Sequence, residues 1–407
     1  MNKTIFLKML CVGLSSLALT TGAQQISNSP LLVPLDFHNF GAAEVPWFQP
    51  AVTVLPDGSW LATMQSLMGS DHYGGPLFSI TKDQGRTWSP TAEIKCFRTE
   101  PFEDTQYEMG VVDVRPFTSP NDGTVFAFGG TTYYSPSGLN AVWVKGDKPK
   151  LPPMVGVYAT WRPDTGWSER KILPLPGVQG SYRAQCTQAV FVENGELLVP
   201  IYLERGRIDY YGYDFERFGS VVARYRQVGE ELEFVSMSQY FDHGVERGLD
   251  EPSVIRLPEG GFALTFRAED GRGYSSWSED DVSWSDKVPW SWEDGTPLTM
   301  TSTQQHWMRV GAKVYLVYTR DAGTNSGVFR CRAPLFMAEA IPSRGVLLRE
   351  TEKVVFPRQL IDGEEALYGN FHCAQLTEET VLITDAAAVF NGNSGPKCRL
   401  MVTLVVP

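Results

Sequence analysis

One local pattern occurs six times along the 407-residue chain: an apolar alternating run, a tight turn rich in Gly, Asp, Asn or Glu, and a second apolar run. The copies are Val52 to Gln65 around Pro56-Asp57-Gly58, Val114 to Gly130 around Asn121-Asp122-Gly123, and Ala189 to Tyr202 around Asn194-Gly195. They continue with Ser253 to Arg267 around Glu259-Gly260-Gly261, His306 to Thr319 around Val310-Gly311, and Cys373 to Ala386 around Thr377-Glu378-Glu379. Their spacing of roughly 50 to 70 residues matches one four-stranded blade with its loops. Helical periodicity is hard to find, and 38 glycines and 27 prolines interrupt most windows that would carry it. Length alone favours two or three domains. Six similar hairpins predict instead a single all-β unit over residues 24–407, a six-bladed β-propeller of four-stranded antiparallel blades.

The turn at Thr81-x-Asp83-x-Gly85-x-Thr87-Trp88 has its own chemistry. The Asp and Thr side chains suit hydrogen bonds to turn amides, Gly85 suits a positive φ, and Trp88 suits an anchor between sheets. A degenerate copy lies at Ser278-Glu279-Asp280-Asp281-Val282-Ser283-Trp284, and a weaker one at Asp164-Thr165-Gly166-Trp167. Trp277, Trp284, Trp290 and Trp292 fit packing between blades better than a sugar-stacking platform. The Thr81 motif matches the Asp box, and with the hairpins placed the chain resembles the sialidase superfamily over most of its length. The Asp box marks a fold; the resemblance puts the chemistry in a central pocket fed by several blades.

The resemblance implies particular residues. In the family a general-acid aspartate precedes the first Asp box in a Ser-Asp-His-Gly context, and here Ser70-Asp71-His72-Tyr73-Gly74 stands ten residues before Thr81 (81 − 71 = 10), making Asp71 the candidate acid. Glu251 and Arg267 are sixteen residues apart (267 − 251 = 16), the family's spacing between the glutamate that activates the nucleophile and the second arginine of a carboxylate-binding triad. A hairpin brings both to one end of paired strands. The third arginine resembles Arg332, with Arg330 the alternative because neighbouring strand residues face opposite ways. Arg320 is a further pocket candidate, competing with pairing to Asp321 or Asp270, and Arg183 another. Arginine suits the role because its planar fork stays charged.

Two family residues are missing. Pro50 follows Phe48-Gln49 where the first triad arginine is expected, and Tyr368-Gly369-Asn370-Phe371-His372-Cys373 places Asn370 nearest the position of the nucleophilic tyrosine. Direct attack by water, with Glu251 or His372 as base and Asp71 as acid, predicts inversion; Tyr368 activated by Glu251 predicts retention. Gln305 and His306 open the fifth hairpin and are expected to contact substrate, as is Asn370.

The net charge of −12 and pI near 5.0 argue against general affinity for nucleic acid or anionic membranes, so an anionic substrate requires a local basic pocket. Lys3 and Lys8, an apolar run from Met9 to Leu19 and Thr21-Gly22-Ala23 read as a secretory signal peptide over residues 1–23, with export and a mature start near Gln24. No later segment is apolar for long enough to span a bilayer as a helix. Cys96, Cys186, Cys331, Cys373 and Cys398 show no metal-ligand spacing, and buried free thiols are expected. No metal or other cofactor is implied, and a monomer or simple homo-oligomer is expected. The composite expectation is an exported exo-acting, sialidase-like glycoside hydrolase that removes a terminal acidic sugar, most directly sialic acid, from glycans. The alternatives are a propeller glycosidase or lyase acting on uronate-containing glycans, in which His72, His306 or His372 with a tyrosine abstracts a proton, and a non-catalytic carbohydrate-binding propeller.

Overall fold

The computed structural model describes residues 29–37, 40, 45–146, 149–193, 195–390 and 395–407. The expected signal-peptide segment, residues 1–23, and the expected start near Gln24 lie outside the described residues. All six sequence hairpins form, each as the innermost strand pair of one sheet. Numbered in chain order, the innermost pairs of blades one to three are Trp47–Val54 with Trp60–Gly69, Glu108–Thr118 with Val125–Tyr134, and Val190–Phe191 with Leu197–Tyr210. Blades four to six begin with Asp250–Arg256 and Phe262–Arg267, His306–Val310 and Lys313–Tyr318, and His372–Gln375 and Val381–Val389.

These sheets hold four to six strands and are antiparallel except where Ser291–Trp292 joins blade five beside Val346–Leu347. Each blade packs on the next, and the inner strands of blades six and one touch, so the ring closes. Closure is covalently remote: Leu31–Leu35 adds the outer strand of blade six against Lys397–Val406, Leu31 opposite Val406. The architecture is an all-β six-bladed propeller.

The hydrophobic cores lie between blades, as alternating strands require when both faces of a sheet are covered. Phe126, Phe128 and Tyr158 of blade two pack on Leu197, Val199 and Val221 of blade three. Trp290, Trp292 and Trp307 fill the blade four to five interface, which settles their role as packing. All five described cysteines are free; Cys186 and Cys373 are buried, the others half-buried.

The Asp box forms as its residue types require. Asp83 accepts from the Thr87 amide at 2.8 Å and the Thr87 hydroxyl at 2.6 Å, Thr81 Oγ1 accepts from the Gly85 amide at 3.0 Å, and Trp88 Nε1 donates to the Gly85 carbonyl. The copy at Ser278–Trp284 repeats these bonds through Asp280 and Trp284, with Asp281 taking φ 58° in place of the missing glycine.

Candidate active site

A pocket of about 810 Å³ opens at one end of the propeller axis, and it is built by a repeated backbone device. In blades one to four, one residue at the head of the chain entering the first hairpin adopts a left-handed conformation: Gln49 (φ 55°), Asp113 (φ 56°), Cys186 (φ 54°) and Glu251 (φ 47°). At Gln49, Asp113 and Glu251 the strand register shifts, a bulge that re-aims the side chain. Left-handed backbone is unfavourable for such residues and persists only where the surroundings enforce it, a signature of functional sites. Asp113, Cys186 and Glu251 line the pocket.

Asp71 lines it too, from the turn between Trp60–Gly69 and His72–Tyr73, also left-handed at φ 53°. Arg267 enters from the partner strand of Glu251, its Cα opposite Asp250. Its Nη1 donates to Glu251 Oε1 at 2.6 Å, and its Nε and Nη2 donate to Ser302 Oγ at 3.0 Å each. Burial alone would lower the Arg267 pKa, but the carboxylates of Asp250 and Glu251 reverse this and hold it above the usual arginine value. Asp250 behaves oppositely: burial outweighs Arg267 and Arg247 and raises its carboxyl to about 6.

Arg332 differs from the other arginines that line the pocket, Arg183, Arg247, Arg267 and Arg330, each of which pairs with a carboxylate. It is half-buried, forms no ion pair with a described carboxylate, donates from Nη2 to the Ser302 carbonyl at 3.0 Å, and leaves Nε buried without a partner. Burial first, then the charges of Arg267 and Arg330, push its pKa down to about 10. Arg247, bonded to Glu269 at 2.7 Å, and Arg183, at 3.3 Å from Glu216, complete a cationic wall. Arg332 feels the charges of Glu251 and Asp71 but pairs directly with neither, and a ligand carboxylate would complete its hydrogen bonding.

The structure therefore brings Asp71, Glu251, Arg267, Arg332 and Asn370 together. It corrects other expectations. Arg330 and Arg332 both line the pocket, because Phe329–Cys331 is a 3₁₀ turn and the strand alternation rule does not apply. Arg320 lies outside the pocket lining, its Nε and Nη2 held by Glu352 at 2.8 and 2.6 Å; neither Asp321 nor Asp270 is its carboxylate partner. Gln305 is absent from the lining and accepts from the Thr265 hydroxyl between blades four and five. His306 and His372 are buried with their rings 6.5 Å apart, neither lining the pocket; His306 Nδ1 pairs with Ser253 Oγ at 2.8 Å. Burial, reinforced by the Arg115 cation, holds both imidazoles well below the usual histidine range, so His372 is not placed to act as the base. Tyr368 is also outside the lining, donating to the Pro357 carbonyl at 2.7 Å, which removes it as a nucleophile. Phe48, at the position expected of the first arginine, is buried and stacked on Tyr73.

Sequence reasoning missed Asp113, Trp143, Tyr202 and Arg247. A signal for Asp113 existed: it precedes its hairpin turn by the same interval as Glu251 (121 − 113 = 8; 259 − 251 = 8), as does Cys186 (194 − 186 = 8). Burial raises the Asp113 carboxyl to about 6 despite Arg115 nearby.

No protein-family model and no curated protein sequence matches the chain. Solved structures do. A protein of unknown function from Dyadobacter fermentans matches with TM-score 0.61 at 13% identity, covering 93% of this chain and 98% of that one. The fold is that of the sialidase propeller. The NanB sialidase of Streptococcus pneumoniae matches with TM-score 0.58 at 10% identity, covering 95% of this chain and 72% of its own. The Trypanosoma rangeli sialidase matches with TM-score 0.56 at 12% identity, covering 93% of this chain and 58% of its own, so this chain spans less than two thirds of that enzyme.

Proposed function

We propose that the protein is an exported, exo-acting glycoside hydrolase that releases a terminal acidic sugar, most directly sialic acid, from glycans. The observation that carries this reading is Arg332: a half-buried guanidinium without an ion-pair partner among the described residues, beside Arg267, in a pocket that also holds two carboxyl residues on other blades, Asp71 and Asp113. A carboxylate-bearing sugar satisfies it. Asp71 gives its proton to the glycosidic oxygen as the bond to the anomeric carbon breaks, and water adds to that carbon while Glu251 takes the water's proton. Direct displacement is favoured over a Tyr368 intermediate by the position of that hydroxyl, turned onto the Pro357 carbonyl. Export rests on the Lys3 to Ala23 pattern alone.

The test compares release from sialylated and uronate-capped glycans, with NMR of the first-formed anomer. Sialic acid release with inversion is expected. Uronate release transfers the reading to uronate-capped glycans, an unsaturated uronate product identifies a lyase, and a retained anomer rules out direct displacement.

A further inference from the structure

We propose that Trp143 is a positioning residue for Asp71, its indole N–H fixing the carboxyl and its ring tying that carboxyl to the hairpin of blade three; this rests on Asp71 being the general acid. Trp143 Nε1 donates to Asp71 Oδ2 at 2.9 Å, whereas the hydrogen bond at Oδ1, from the Tyr73 hydroxyl, is long at 3.5 Å. The orientation of the carboxyl therefore depends chiefly on one indole. The other charged and titratable groups acting around Asp71 are Tyr73, Tyr134, Asp113 and Arg332.

The indole is itself held on two sides. It ends the short 3₁₀ turn Ala141–Trp143, where Asn140 Oδ1 accepts from the Val142 amide and Asn140 Nδ2 donates to Thr132 Oγ1 at 2.9 Å. Its ring lies 5.3 Å from Phe215 and 5.4 Å, edge-on, from Tyr213, both on Tyr213–Val228 of blade three. Leu197–Tyr210 pairs with that strand all the way to Tyr210 opposite Tyr213. Tyr210 also contacts the indole at 6.3 Å, donates to Glu269 at 3.1 Å and accepts from Arg330 at 3.3 Å. One aromatic cluster thus joins the proton donor to the anion-binding wall. An acid delivers its proton only along a narrow approach to the leaving oxygen, so a carboxyl free to rotate loses much of its effect.

Trp143→Phe keeps a ring and removes the N–H. Release from a sugar aglycone, a poor leaving group that needs the proton, is expected to fall roughly tenfold or more, while release from an aryl aglycone with an acidic phenol changes far less. Asp71→Asn, in which Trp143 stays intact, is expected to move one indole ¹⁵N–¹H resonance, the one absent from Trp143→Phe. Equal losses on both aglycones, or indole resonances unmoved by Asp71→Asn, would overturn the role. A wild type that releases neither sugar while the resonance still moves would overturn the hydrolase reading and this role with it, leaving the contact itself standing.

Discussion

At the scale of single residues, what distinguishes the arginines is whether they line the pocket and whether a carboxylate already holds them. Replacing Arg332 with alanine is expected to raise KM for an acidic glycan roughly ten- to a hundredfold, the equivalent of ~1.5–3 kcal/mol for hydrogen bonds to a charged group. Arg320→Ala should leave KM unchanged, because Glu352 already occupies that guanidinium. Steady-state kinetics of the pair decides the matter, and equal effects would contradict the assignment. Asp385 gives a pH prediction. Burial raises its carboxyl to about 7 although the Gly369 and Ala386 amides donate to it. A folded-state pKa above the unfolded one contributes stability at pH below the unfolded value, lost as pH rises through about 7. Urea unfolding at pH 5 and pH 8 should show wild type losing stability relative to Asp385→Asn as pH rises; parallel curves would contradict this. Asp71, Glu251 and Arg267 were readable from sequence because their spacing from the Asp box and across a hairpin matches the pattern of the sialidase resemblance. Arg320 was misplaced because its partner, Glu352, is set by tertiary packing that spacing does not encode.

At the scale of elements, the six hairpins were readable because alternation and turn chemistry are local signals. The bulges were not: an extra strand residue leaves no compositional mark, yet it aims Asp113 and Glu251 at the pocket. Gly85 belongs to the readable class. It sits at φ 87°, and an added Cβ would lie 2.6 Å from the Phe37 ring. Gly85→Ala is expected to destabilise the protein by ~1–3 kcal/mol, read as a lower urea midpoint. An unchanged midpoint would mean that the turn tolerates a side chain and that the Asp box does not fix the first blade.

At the scale of the whole molecule, the axial pocket gathers, among the described residues, five arginines and six carboxyl residues from different blades. In a chain of net charge −12, the proposed acidic sugar therefore depends on Arg332, the lining arginine that forms no ion pair with a described carboxylate, and not on a general positive field. Ring closure was invisible in sequence because Leu31–Leu35 pairs with Lys397–Val406 across nearly the full chain, with no local signal for the pairing. The convergence of Asp71, Glu251, Arg267 and Arg332 on one pocket was expected from the sialidase resemblance; the burial of His306 and His372 was not, because a place at the head of an inner strand does not encode how deep a side chain sits. The most direct test is release of free acidic sugar from a sialylated glycan by wild type and Asp71→Ala. Release by wild type, with binding but negligible release by Asp71→Ala, is the predicted result. Binding without release by the wild type would contradict it and make the protein a carbohydrate-binding propeller.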